Sequence, residues 1–242
     1  MHDNELVEQP ALKSGETAAE ASEEKSFFDL LYGIITKPVQ TMRYIADKKL
    51  IFVGIVLTIS IAWINSIANI PGMLSSFSQT TSGLETLPAV GVMRGFILAL
   101  AVILPPFSAT FILLMQAGIF HILAVLFKGK GSYDGLIGVL GFASFPSIIA
   151  IPFALLDLLA TRSGWAGYTA VMVPVTLVVS LGLVVWILVL DVIGVRENYQ
   201  LSTWRAFLVV TIPIIVFIVL AAAFFIAIAV FAVGALSSLG LH

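Results

Sequence analysis

Polar side chains that could do chemistry are rare within the long apolar runs of this sequence. The candidates are Gln116, His121 and Asp157. Burying an ionisable group among apolar residues is costly, so such groups are candidates for a proton or ion pathway. The alternative is hydrogen bonding between helices, which Asn65 and Asn69 favour because residues four apart share one helix face. Asp157 lies near the end of its run, where water can reach it and a solvated or capping role is expected.

Residues for enzyme chemistry are missing. The chain has no cysteine and three histidines, two of them terminal, so a histidine metal cluster cannot be built within one chain. The GKGS segment over 129–132 lacks the leading glycine and the adjacent Lys-Ser of a phosphate loop. No nucleophile is paired with a base, and a net charge of −2 gives no basic stripe. We therefore predict a protein that is not an enzyme, with no cofactor, no metal site and no nucleic-acid partner.

The composition indicates the solvent that the chain faces. Hydrophobic residues make up 60% of it and charged residues 11%, against roughly a quarter charged in soluble domains. Only helices and closed barrels span a bilayer, because unpaired backbone groups are costly in hydrocarbon. A barrel needs stretches of about ten residues with alternating polarity, whereas the runs here are longer and apolar on every face. We predict an all-α integral membrane protein with five transmembrane helices preceded by an amphipathic interfacial helix.

Five apolar runs are long enough to cross a bilayer core of about 30 Å, which takes roughly 20 helical residues. They predict a five-helix transmembrane domain over 50–242, with spans at about 50–70, 95–127, 135–160, 170–190 and 206–236. Pro71-Gly72 is expected to end the first span, and Asp191 to lie just past the fourth.

Prolines and glycines indicate how these spans bend and pack. A proline inside a helix removes a backbone donor and bends the helix. We therefore expect kinks at Pro105, Pro106, Pro146 and Pro152. Gly131, Gly135 and Gly138 lie at helical spacing, so this face is expected to approach a neighbouring helix closely.

Two segments precede the first span. Residues 1–25 are polar and acidic and are predicted to form a disordered cytoplasmic tail. Residues 26–49 begin with the spacing of a capping box, Ser26 and Asp29, and continue as an amphipathic interfacial helical segment that Pro38 interrupts. Four basic residues of this segment suit anionic lipid headgroups: Lys37, Arg43, Lys48 and Lys49. The alternative is that they serve only as the topology signal for the first span.

The distribution of basic residues predicts the orientation, since cytoplasmic loops carry an excess of Lys and Arg. With the N-terminus inside, ten of the twelve basic residues fall on the cytoplasmic side, leaving Arg94 and Arg162 outside. We expect a multi-pass protein of the cell (plasma) membrane with its N-terminus in the cytoplasm and its C-terminus outside.

Four segments resemble one known family: IITKPVQTMRYI over 34–45, FKGKGSY over 127–133, FASFP over 142–146 and VRENYQLSTWRA over 195–206. In order and spacing they resemble the prokaryotic branch of the Yip1 domain family, and the similarity covers nearly everything from Phe27 onward. The resemblance implies a five-helix membrane domain with a cytoplasmic N-terminus, and it implies a fold more than an activity.

Eukaryotic relatives in that family are linked to vesicle traffic and bind small prenylated GTPases, partly through an Asp-Leu-Tyr-Gly-Pro motif. The nearest stretch here, DLLYG over 29–33, has an inserted leucine and lacks the proline. The GTPase role is therefore not carried over to this chain.

Two functions fit these predictions. The first is a non-enzymatic scaffold or adaptor that organises lipid or partner membrane proteins. Its expected partners are membrane lipids, other membrane proteins or a second copy of the chain. The second is a small transporter or permease component with a site near Gln116, His121 and Asp157, formed at broken helices. The hydropathy shows no inverted repeat, which favours the first.

Overall fold

The computed structural model of the chain describes residues 25–84, 87–163 and 167–238. Their regular structure is helical, and five helices are long and apolar enough to cross a membrane. A short apolar helix precedes these five. The predicted class of fold is thus confirmed. The acidic tail expected over 1–25 lies, apart from Lys25, outside the described residues.

The helices follow one another along the chain as α1 (Phe27–Thr36), α2 (Pro38–Lys48), α3 (Ile51–Thr80), α4 (Pro88–Leu126), α5 (Tyr133–Ala143), a 3-10 helix (Phe145–Ile149), α6 (Ala150–Ser163), α7 (Tyr168–Tyr199) and α8 (Thr203–Ser238). The third apolar span, Tyr133–Leu156, therefore consists of α5, the 3-10 helix and the first part of α6. Pro146 lies in the 3-10 helix and Pro152 in the first turn of α6. The α-helical hydrogen-bond pattern of this span is interrupted at Pro146.

Two of the long helices contain prolines without ending at them. α3 continues past Pro71 to Thr80, so the expectation that Pro71-Gly72 ends the first helix was wrong. α4 likewise continues through Pro105 and Pro106, and a kink there stays a prediction. Membrane helices tolerate proline where neighbouring groups satisfy the backbone that it frees.

The backbone freed by the double proline is satisfied by α3. Prolines cannot donate to the carbonyls four residues before them, which leaves those of Ala101 and Val102 without their helical donors. Ser66 Oγ donates to Ala101 O at 2.5 Å, and Trp63 Nε1 donates to Val102 O at 2.9 Å. The double proline therefore creates two acceptors through which α3 and α4 are joined.

Replacing Trp63 with phenylalanine is expected to weaken this joint. Phenylalanine keeps an aromatic ring of smaller size, and the Val102 carbonyl loses its donor, which costs about 0.6–2 kcal/mol for an interhelical hydrogen bond in a membrane. Thermal unfolding of the detergent-solubilised protein measures the loss. The matched control is Trp186→Phe, since Trp186 makes no hydrogen bond within the described residues and is partly exposed. Equal stability of the two variants would contradict the assignment.

α5 lies at the centre of the bundle, and all residues from Gly135 to Ala143 are buried. Its backbone approaches that of α3 without intervening side chains. A Cβ built on Gly141 would lie 2.4 Å from the carbonyl oxygen of Gly54, and one built on Gly54 would lie 2.9 Å from the Cα of Gly138. The close approach expected of the glycine face is confirmed at Gly138, and α3 is the neighbouring helix.

Two clusters of buried apolar residues surround α5. One joins α4, α5, α7 and α8 and includes Phe120 and Leu136. The other joins α1, α2, α3, α5 and α7 and includes Ile34, Met42 and Phe142. Most large apolar side chains outside these clusters are exposed. Such a surface is stable only when hydrocarbon covers it.

Candidate functional site at the proximal end

Many polar contacts between helices are gathered at one end of the bundle, which we call the proximal end. It consists of α1 and α2, the starts of α3, α5 and α8, the ends of α4 and α7, and the connections 127–132 and 200–202. The backbone N–H of Lys130 donates to Tyr199 O at 3.0 Å, and Asn198 Nδ2 donates to Ser132 O at 2.8 Å. These two bonds hold the connection between α4 and α5 against the end of α7.

His121 of α4 packs against two tyrosines at this end. Its Nδ1 is hydrogen-bonded to the Tyr199 hydroxyl, and its ring centre lies 5.7 Å from that of Tyr199 and 5.8 Å from that of Tyr133. The Tyr133 hydroxyl donates to the Leu114 carbonyl at 3.1 Å. His121 thus bridges α4 to α5 and α7, as expected for interhelical hydrogen bonding, and its proton-coupled role stays a prediction.

Glu197 of α7 is shared by two arginines, and its side chain is only 7% exposed. Its Oε2 accepts from Arg43 Nη2 at 2.7 Å, and its Oε1 accepts from Arg196 Nη2 at 2.6 Å. Arg43 also donates through Nε at 2.8 Å. Because Arg43 belongs to α2, this pair fastens α2 to the end of α7. The Arg43 guanidinium, which was expected at lipid headgroups, is therefore bonded to Glu197, an acid for which the sequence pattern indicates no such role.

The lysines of the same segment are exposed: Lys37, Lys48 and Lys49. Lys25 joins them, since the ammonium groups of Lys25 and Lys48 lie 5.1 and 6.0 Å from the centre of the Tyr44 ring. Cations within about 6 Å of an aromatic face are attracted to it. Four exposed ammonium groups therefore lie on α1, α2 and the residues at their ends. None of the four forms an ion pair with a carboxylate among the described residues.

The outer face of α1 is apolar although it is not packed against the bundle. Phe28 is 77% exposed, Tyr32 70% and Ile35 53%. These residues are four and three apart and form one stripe. The opposite stripe, Leu30 and Ile34, is buried against the core. α1 therefore has an inner apolar face that docks it and an outer apolar face that is left uncovered.

The remaining polar candidates lie further along the helices. Gln116 Nε2 donates to Asp191 Oδ2 at 3.4 Å. Asp191 is buried within α7, so the expectation that it lies just past the fourth span was wrong. Asn65 and Asn69 donate to carbonyls of their own helix, α3, at 3.0 and 2.7 Å and, among the described residues, not to another helix as expected. The side chain of Asp157 lies outside the described residues. The three residues of the transporter hypothesis are thus not seen to form one site.

Metal chemistry finds no support in the described ranges, where no three His, Asp or Glu side chains are grouped to hold an ion.

The fold and these contacts define a multi-pass helical membrane protein whose helices are tied together by polar side chains at one end. The chain belongs to the Yip1 domain family, whose model matches residues 32–224. Three of the segments that carried the resemblance, 34–45, 127–133 and 195–206, meet at the proximal end. No curated protein and no solved structure matches the chain significantly. The family is confirmed, and its prokaryotic branch stays a prediction.

Proposed function

We propose that the chain is a non-enzymatic scaffold of the cell membrane whose proximal end lies at the cytoplasmic leaflet and binds anionic lipid headgroups. Lipids gathered there recruit or position partner membrane proteins around the bundle. The N-terminus is then cytoplasmic and the C-terminus outside. The observation that carries the proposal is the uncovered apolar stripe of α1 beside exposed lysines.

A helix that only completes a core needs one apolar stripe. α1 has two, and the outer one, Phe28, Tyr32 and Ile35, is exposed in the monomer. An apolar face bordered by lysines suits the boundary between acyl chains and headgroups, where aromatic rings and ammonium groups both find favourable surroundings. The stripe therefore anchors α1 in the bilayer surface while Leu30 and Ile34 anchor it to the bundle.

The lysines supply the selectivity for anionic lipid. Near a negatively charged surface each basic residue contributes about 1 kcal/mol. Arg43 contributes less than its neighbours because Glu197 already accepts its hydrogen bonds. Lys37, Lys48 and Lys49 are free of such acids within the described residues and carry the attraction.

A transporter remains the alternative function. Broken helices are typical of transporter sites, and the third span is interrupted at Pro146. However, Gln116 and His121 have separate partners on α7, so the contacts observed favour a scaffold. Substrate flux in proteoliposomes that is abolished by His121→Ala would favour the transporter.

Neutralising the three lysines is expected to weaken the binding of anionic lipid. In the variant Lys37→Gln, Lys48→Gln, Lys49→Gln, the apparent dissociation constant for phosphatidylglycerol should rise by about tenfold, or roughly 1.4 kcal/mol. This loss is smaller than three full contributions because a single lipid headgroup contacts fewer cations than a charged membrane surface does. Native mass spectrometry of the full-length protein, titrated with phosphatidylglycerol and with phosphatidylcholine, measures the change.

The matched control removes three exposed charges elsewhere at the same end, Lys128→Gln, Lys130→Gln and Arg205→Gln. Its affinity for phosphatidylglycerol should fall clearly less than that of the first variant, since these residues are not beside the α1 stripe. Equal losses in both triple variants would show a general charge effect and would overturn the assignment to α1 and α2. Undiminished binding in the first variant would overturn the lipid-binding role itself.

A further inference from the structure

A groove of about 560 Å³ opens between α4, α7 and α8, away from the α1 stripe and its lysines. Its walls are almost entirely apolar, with Met115, Val184 and Phe217 among them, and these three side chains are exposed on the outside of the bundle. Among the described residues, the polar side chains that line it are Gln116 and Asp191. Because its walls are exposed on the surface that faces hydrocarbon, a molecule dissolved in the bilayer can enter it from the side.

The Asp191 carboxyl is buried with only one weak hydrogen-bond partner among the described residues. It is only 7% exposed, and its single hydrogen bond within the described residues is the one from Gln116 at 3.4 Å, beyond the usual 2.7–3.2 Å range for such bonds. No Lys, Arg or His of those residues forms an ion pair with it. Buried charges are normally paired because leaving one unpaired is costly.

The groups that remain available in the groove are acceptors. A carboxylate has no donor and about four acceptor positions, and the amide oxygen of Gln116 is a further acceptor once its nitrogen is engaged. A protonated amine has donors and no acceptor, so it complements this pair. The apolar walls on either side complement a hydrocarbon tail.

We propose that this groove binds a lipophilic amine, with the ammonium group on Asp191 and Gln116 and the tail along the apolar walls of α4 and α8. The volume lies within the roughly 300–1,000 Å³ of ligand pockets. Asp191 precedes Glu197 by six residues in α7. It therefore lies about 9 Å deeper along the helix axis than the ionic contacts of the proximal end. A phosphate carried with the amine to that depth would be buried without a cation, so the ligand is an amine without phosphate.

Dodecylamine is the probe, and dodecanol is its uncharged analogue with the same tail. Radiolabelled dodecylamine should bind the full-length protein in a neutral detergent at least about tenfold more tightly than dodecanol. Asp191→Asn should remove this preference and leave the binding of dodecanol unchanged. Charge-assisted hydrogen bonds of this kind account for such a factor. Asp47→Asn, an exposed acid outside the groove, is the control and should bind dodecylamine as wild type does.

Met115→Trp fills the groove without altering the carboxyl group and should weaken the binding of both probes. If Asp191→Asn does not fold, two other results test whether the groove binds the amine: the preference of wild type for dodecylamine over dodecanol, and the weaker binding of both probes by Met115→Trp. Equal affinity of wild type for amine and alcohol, or of wild type and Asp191→Asn for the amine, would overturn the proposal. Displacement of dodecylamine by phosphatidylethanolamine at similar concentration would contradict an amine without phosphate.

Discussion

Replacing Gly141 with leucine is expected to destabilise the bundle by more than about 3 kcal/mol, at or beyond the upper end of the range for overpacked cores. A Cβ at this position would already lie 2.4 Å from the carbonyl oxygen of Gly54 and 2.6 Å from its Cα. Both obstacles are backbone atoms, which cannot rotate away, so α3 must move from α5. Thermal unfolding of the detergent-solubilised protein, followed by the loss of the monodisperse peak, measures the effect.

Gly182→Ala is the control, because a Cβ on that glycine of α7 meets nothing within 4 Å. Alanine there should leave the stability unchanged or raise it by roughly 0.5–1 kcal/mol through its higher helix propensity. Gly141→Ala should fall between wild type and Gly141→Leu. A Gly141→Leu variant as stable as wild type would show that α3 and α5 are not held in backbone contact.

The class of fold could be predicted because hydrocarbon imposes it. Runs of about 20 or more apolar residues specify membrane helices whatever their packing, and glycines at helical spacing indicate a close helix contact. The partner of that contact could not be predicted, because helices that are apolar on every face have no periodic signal for the inward side. Gly54 has the same local sequence features whether it faces lipid or α5.

The polar contacts were harder to predict for a related reason. Arg43 and Glu197 are 154 residues apart in sequence, and nothing local to either residue indicates the other. Asp191 was expected just past its span because hydropathy locates the end of an apolar run, whereas the α7 helix continues to Tyr199. The acceptors at Ala101 and Val102 follow from the double proline, but their donors on α3 depend on the tertiary packing.

Replacing Glu197 with alanine is expected to loosen α1 and α2 from the rest of the bundle by about 2–3 kcal/mol. Breaking a buried ion pair costs roughly 3–5 kcal/mol, and the loss is smaller here because the Arg43 side chain is 64% exposed and remains hydrated. Hydrogen–deuterium exchange of peptides from residues 27–48 measures the change, since the backbone amides of a detached segment exchange faster. Asp47→Ala, an exposed acid on the same surface, should leave that exchange unchanged.

A double-mutant cycle separates the Arg43–Glu197 pair from other effects of the truncation. Arg43→Ala alone should accelerate exchange in 27–48, because Glu197 then keeps only Arg196. In the Glu197→Ala background the same change should add little, because its partner is already absent. Additive effects would mean that the two side chains stabilise the α2 contact independently. Coupled effects would show that this ion pair, by holding α2 to α7, keeps the inner face of α1 packed on the bundle and its outer stripe exposed.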